Sequence, residues 1–241
     1  MRTVLITGAN KGIGLETARQ LLKLGYFVYL GSRSKSNGLK AEEELRAEGL
    51  YNIEVIELDV TNPDSVIQAK ARLEDKLPAL DILINNAGIA GVQPQNISQC
   101  DMNSLRDIFE TNYFGVIQTT QQFLPLLQKS EAPSIVNVSS EVGSLTMQTA
   151  AGRRANWDNY HAYGSSKTAL NAFTIALAHE LRGTNVRVNS VTPGYTATDL
   201  NGFHQAAKKV EQGAKVIVDL ATRQLPGTSG KFFGEEGEMP W

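Results

Sequence analysis

The chain has 241 residues, 41% of them hydrophobic, and a net charge of −2, which is long enough for a substantial core and too balanced in charge for electrostatic binding to nucleic acid. Cys100 is the only cysteine, which excludes an intrachain disulfide or a cysteine-held metal cluster and makes a reducing, cytoplasmic location the expectation. The apolar run over residues 1–6 breaks at Gly8, too short for a secretory core or a membrane span, so no membrane association is expected.

Strands and helices alternate from the first residues. Thr3 to Thr7 is short, β-branched and stopped by glycine, the pattern of a buried strand. Helical periodicity covers Ile13 to Leu24 and stops at Gly25, followed by a strand at Phe27 to Leu30, a charged helix from Asn37 to Glu48 and a strand at Ile53 to Leu58. Thr61-Asn62-Pro63 is a cap signal for a helix over Asp64 to Lys76, and Asp81 to Asn85 reads as a fourth strand. One long helix is expected from Asn103 to Gln128, then a strand at Ser134 to Ser139 and a helix carrying Tyr163. A strand at Val186 to Val191, a helix within Val210 to Thr222 and a short strand at Lys231-Phe232-Phe233 complete the pattern.

Such alternation predicts a single α/β domain over residues 1–241, a doubly wound, mostly parallel sheet of about seven strands with helices on both faces. Two irregular stretches, near 141–162 and 195–207, follow the carboxyl ends of strands, where open sheets of this kind hold ligands, and are expected to form substrate loops.

Between the first strand and the first helix lies Thr7-Gly8-Ala9-Asn10-Lys11-Gly12-Ile13-Gly14. Glycines here permit a tight turn and bring backbone N–H groups close to a pyrophosphate, while the helix N-terminus adds a positive dipole end. The placement predicts a Rossmann-type dinucleotide site contacting Gly8, Asn10, Lys11, Gly12, Ile13 and Gly14, although the spacing is G-x-x-x-G-x-G. At the end of the second strand a carboxylate would accept the ribose hydroxyls of NAD, whereas arginine would meet the 2′-phosphate of NADP(H). The residues there are Leu30-Gly31-Ser32-Arg33, so Arg33, seconded by Lys11, selects NADP(H).

Tyr163 and Lys167 would lie one turn apart on one helix face. A free phenol, with a pKa of ~10, is a poor base near neutrality, and an ammonium ~4 Å away at an effective dielectric of ~20 would pull that value down by about three units before solvation losses.

Taken together, Thr7-Gly8-x-x-x-Gly12-x-Gly14, Asn85-Asn86-Ala87-Gly88, Ser140, Tyr163-x-x-x-Lys167 and Pro193-Gly194 resemble the short-chain dehydrogenase/reductase family across nearly the whole chain. Within it, Glu211-Gln212-Gly213-Ala214, Gly230-Lys231-Phe232-Phe233 and Trp241 are similar to NADPH-dependent carbonyl reductases. The resemblance implies a reversible reduction of an aldehyde or ketone by hydride transfer, with Asn112, Ser140, Tyr163 and Lys167 as the catalytic set. Ser140 would donate to the carbonyl and Tyr163 supply the proton. Lys167 would lower the Tyr163 pKa and bind the nicotinamide ribose, and Asn112 would join Lys167 to water.

For the cofactor, the resemblance implies Asp59 and Val60 at the adenine, Asn86, Ala87 and Gly88 along the adenosine, and Pro193, Gly194, Thr196 and Thr198 around the nicotinamide. A sensor or scaffold that binds NADP(H) without turnover is the alternative, and that class usually lacks the tyrosine or lysine. Ser140 and Tyr163 are 23 residues apart, longer than in compact members, so an insertion is expected there, and it leaves open whether the protein is a dimer, a tetramer or a monomer.

No metal site is expected, since His161, His179 and His204 lack ligand spacing. His161, two residues before Tyr163, is a candidate for touching substrate, and Trp157, Tyr160, Tyr195, Phe203 and Trp241 are candidates for lining an apolar pocket.

Overall fold

The computed structural model describes residues 1–202, 207–223 and 228–241, with Phe203 and His204 outside the described residues. Its strands are β1 (Thr3–Ile6), β2 (Phe27–Ser32), β3 (Ile53–Glu57), β4 (Ile82–Asn85), β5 (Ser134–Val138), β6 (Arg187–Val191), β7 (Phe232–Gly234) and β8 (Gly237–Glu238). They form one sheet in the order β3-β2-β1-β4-β5-β6-β7-β8, parallel throughout except for the antiparallel pair β7 and β8. The eighth strand exceeds the seven expected because two residues are too few to leave a periodic pattern. Strand order reverses between β1 and β4, and a doubly wound sheet opens its ligand crevice at such a reversal.

Alternation along each strand divides the apolar side chains between two cores. Val4 and Ile6 of β1 point to one face, where they meet α1 (Gly12–Lys23), α2 (Lys35–Ala47) and α8 (Val210–Thr222). Leu5 points to the other, against α3 (Pro63–Glu74), α5 (Gly115–Leu127) and α7 (His161–Glu180). Asn62 caps α3 as expected, its side chain accepting from the backbone N–H groups of Asp64 and Ser65, with Pro63 at the first helical position.

The long helix expected over 103–128 is interrupted. It consists of α4 (Met102–Phe109), a π-helical turn at Glu110–Phe114, and α5. Gly115 follows the π turn where a Cβ would sit 2.9 Å from the Val60 carbonyl oxygen, so the close approach of this helix to the end of β3 requires glycine.

The first irregular stretch is also built rather than loose. It contains a 3-10 turn at Glu141–Gly143, α6 (Leu145–Thr149) and a second 3-10 segment at Ala155–Tyr160. These pieces are too short for sequence periodicity to reveal. Ser144 accepts from Met147 N to cap α6 and donates to Pro240 O at 2.8 Å, while Thr146 N donates to Trp241 O at 2.8 Å. Trp241 stacks on the buried Phe232, with centroids 5.6 Å apart, so the last residues of the sequence brace the segment that precedes Tyr163.

Among the described residues, no helix is long and apolar enough to cross a membrane, and no cluster of His, Cys, Asp or Glu could hold a metal ion.

Candidate active site

A cleft of about 560 Å³ opens along the carboxyl ends of the central strands, a volume suited to a small-molecule site. Every residue expected in the catalytic set or at the cofactor lines it except Asn112.

At one end the cleft is made chiefly of backbone. The Thr7 hydroxyl accepts from the N–H groups of Asn86 and Ala87 at 3.0 and 2.9 Å, and the Asn86 side chain donates to the carbonyls of Thr7 and Gly8. This cross-link ties the turn after β1 to the end of β4. A Cβ on Gly14 would lie 2.6 Å from the Gly8 carbonyl oxygen, so only glycine lets the turn fold back on itself. Lys11, the N-cap of α1, makes no side-chain cap, and the first turn holds no acidic residue. The donor set at this N-terminus therefore fits a phosphate group. Asp59 keeps one carboxylate oxygen occupied by Thr61, through N–H and hydroxyl at 2.9 and 2.8 Å. Arg33 is exposed beside it on the cleft wall. Lys11, expected to second Arg33, lines the cleft and pairs with Asp199 at 2.5 Å across it.

The other end is made of side chains. Tyr163 lies half-buried in the first turn of α7, and Lys167 one turn on is buried. A Cβ on Gly164 would come within 2.9 Å of the Val142 carbonyl oxygen. Glycine there allows the turn at 141–143 to press on α7 and carry Ser140 to the phenol.

Burial pushes the Tyr163 phenol up to about 12, opposed by the Ser140 hydroxyl beside it and reinforced by Tyr160. This corrects the direction expected from Lys167. The ammonium lies 5.6 Å from the Tyr163 ring centroid and donates to the Val138 carbonyl at 2.8 Å, and burial pulls its own pKa down to about 8.

Asn112 lies behind the cleft in the π turn, fully buried. Its amide donates to Ile89 O at 2.9 Å and Ser166 Oγ at 3.0 Å, and its oxygen accepts from Ile89 N at 2.9 Å. Both of its N–H donors go to these partners and neither goes to Lys167.

Trp157, Tyr160 and Tyr195 line the substrate end, together with Val142, Leu200 and the ion pair Arg154–Glu141 at 3.1 Å. His161 does not line the cleft and faces Asp158 at 3.5 Å, His179 is exposed elsewhere, and Trp241 packs on Phe232. Sequence reasoning missed Ile89, Ala90 and Gly91, which form one wall, while Glu141 and Asp199 fall within the two stretches expected to form substrate loops. No motif marks them, because the chain returns to the cleft there through loops.

A doubly wound sheet with a glycine turn at its switch point, and a tyrosine, lysine and serine in the same crevice, defines a dinucleotide-binding oxidoreductase. The family model for short chain dehydrogenases matches residues 2–209, and the chain belongs to the short-chain dehydrogenase/reductase family.

It is 36% identical over 243 positions to the short-chain dehydrogenase anuI of Penicillium roqueforti, covering 98% of this chain and 95% of that protein. It is 33% identical to short-chain dehydrogenase/reductase 1 of Saponaria officinalis, covering 100% of this chain and 96% of the relative. That alignment runs over 293 positions against 241 residues, so the plant protein has segments that this chain lacks. The structure of NADPH-bound carbonyl reductase from chicken fatty liver superposes with a TM-score of 0.87 at 27% identity, covering 100% of this chain and 99% of the other.

Proposed function

We propose that this protein reduces an aldehyde or ketone to an alcohol with NADPH, reversibly. The observation that carries the reading is the meeting of the Ser140 hydroxyl and the Tyr163 phenol above a buried Lys167, in the same cleft as the uncapped glycine turn. Arg33, with no carboxylate at the end of β2, favours NADP(H) over NAD(H), and the likeness to an NADPH-bound carbonyl reductase supports the same choice.

When bound, NADPH supplies the hydride. The α1 N-terminus and the glycine turn would hold its phosphates, Arg33 the 2′-phosphate, and Asp59 and Val60 the adenine. Asn86, Ala87 and Gly88 would flank the adenosine, and Pro193, Gly194, Thr196 and Thr198 would shape the nicotinamide end.

The chain's own residues do the rest. Ser140 donates a hydrogen bond to the substrate oxygen and stabilises the charge that develops there. Tyr163 gives that oxygen its proton, and a phenol held near 12 is fully protonated at neutral pH, as a proton donor must be. Lys167, charged below about pH 8, holds its ammonium beneath the phenol, where the phenolate left by that transfer would be stabilised. The aromatic wall of Trp157, Tyr160 and Tyr195 excludes water and holds the body of the substrate. Asn112 acts at one remove, through Ile89 and Ser166.

The test is NADPH oxidation, followed against a panel of aldehydes and ketones for wild type and Tyr163→Phe. Turnover of at least one carbonyl is expected, reduced roughly 10²–10⁴-fold by the substitution. No turnover in wild type, or equal turnover in Tyr163→Phe, would overturn the reading.

A further inference from the structure

The backbone of Tyr163 is held from both sides by buried side chains that belong to no family motif singled out above. α7 begins at His161 with no side-chain cap from its own N-cap residue, Tyr160. Tyr163 is the third residue of the helix, where a capping oxygen normally accepts. That oxygen comes from Gln95, 68 residues away, whose Oε1 accepts from Tyr163 N at 3.0 Å. Gln95 is 1% exposed, and its Nε2 donates to Ala90 O at 2.6 Å. On the other side Ser166, fully buried, donates to Tyr163 O at 2.7 Å and accepts from Asn112 at 3.0 Å.

The contacts close on themselves. Asn112 clasps Ile89 through both N–H and carbonyl, and Ile89 adjoins Ala90, to which Gln95 donates. The circuit runs from Tyr163 through Gln95, the wall at residues 89–90, Asn112 and Ser166 back to Tyr163. Buried polar groups joined in this way hold one geometry, since breaking any link leaves a donor or acceptor unsatisfied.

We propose that Gln95 and Ser166 are positioning residues that fix the height and rotation of the turn bearing Tyr163 and couple it to the substrate wall at Ile89 and Ala90. The inference rests on the reading of Tyr163 as the proton donor. Gln95 supplies from outside the helix the cap that Tyr160 does not make. Ser166 gives the buried Asn112 a mechanical role independent of any proton path.

The experiment compares wild type, Gln95→Met, Ser166→Ala and the double variant by amide hydrogen exchange and by kinetics on a carbonyl that wild type reduces. In Gln95→Met the Tyr163 amide should exchange roughly tenfold faster, while that of Leu170, deeper in α7, stays unchanged. Each single variant should lose roughly tenfold or more in kcat with NADPH Kd changed by less than about twofold. The double variant should lose clearly less than the product of the two, because both break one circuit.

Unchanged exchange at Tyr163 in Gln95→Met would overturn the proposal, as would full multiplicativity or an equal loss of NADPH binding and Leu170 protection. Should Gln95→Met fail to fold, Ser166→Ala carries the kinetic arm alone, and an unchanged kcat there is equally fatal. If wild type reduced no carbonyl, the functional reading would fall, whereas the exchange measurement would still decide whether Gln95 caps the helix.

Discussion

The two ends of the cleft are built from different materials. The dinucleotide end is backbone: a turn that folds on itself at Gly14, cross-linked through Thr7 and Asn86, with an uncapped helix N-terminus. At the substrate end the walls are side chains: three aromatic residues, the ion pair Arg154–Glu141, and a phenol and an ammonium whose properties burial has shifted. Backbone geometry tolerates change in its surroundings and serves one ligand well. Side-chain geometry adjusts to many ligands and depends on every neighbour.

Damage at the substrate end should therefore fall on chemistry and spare cofactor binding. After Tyr163→Phe, the largest effect is expected for Ser140→Ala, a loss of roughly 10²–10³-fold in kcat with NADPH Kd unchanged, read from steady-state rates and fluorescence titration. A comparable loss of NADPH affinity would blur the two ends into one.

Next comes Lys167→Met, which should abolish most activity yet raise stability. The folded pKa of Lys167 lies at about 8 against an ordinary 10.5, so between these values the unfolded chain binds more protons and stability rises with pH. Tyr163 works in the opposite sense above pH 10, since its folded pKa is about 12 against 10. Urea denaturation of wild type should therefore gain roughly 2–3 kcal/mol between about pH 8 and 10, and Lys167→Met should lack that gain. A flat wild-type profile would mean that the buried ammonium carries no penalty.

At the dinucleotide end, Arg33→Asp should weaken NADPH roughly tenfold to hundredfold while NADH changes little. Equal loss of both would remove Arg33 from the 2′-phosphate. The smallest effect is expected for Asp199→Asn, which frees Lys11 from an exposed ion pair and should tighten NADPH by up to about fivefold. Weaker binding of both cofactors alike would show instead that the pair serves to hold residues 196–202 over the cleft.

The same contrast explains what could be read in the sequence. Parallel strands, helix caps and the glycine turn are local, and their residues announce themselves by spacing, as Asn62-Pro63 and Gly8-x-x-x-Gly12-x-Gly14 do. Tyr163 and Lys167 were legible as a pair for the same reason. The pKa direction of Tyr163 was not, because it depends first on burial, and burial is set by the whole fold. The ion-pair partner of Lys11, Asp199, lies 188 residues on and leaves no trace near it in the chain. No motif marks Gln95, and only the fold places it under Tyr163. The stretch 141–160 read as irregular because its helical pieces are three to six residues long, and their anchor is the far end of the sequence at Pro240 and Trp241.

The π turn at Glu110–Phe114 has a bearing on how this protein can change over time. Such a turn is one residue more than a regular helix would hold. Losing that residue would restore a regular helix, and because the wider turn already takes up the extra residue, the helix beyond would keep roughly its rotation. Phe123, Leu126 and Leu127 would stay in the core, whereas Asn112, inside the turn, would lose its hold on Ile89. A single-residue deletion in the turn would thus spare the core and strike the site. The length of this turn answers to the cleft and not to the packing behind it.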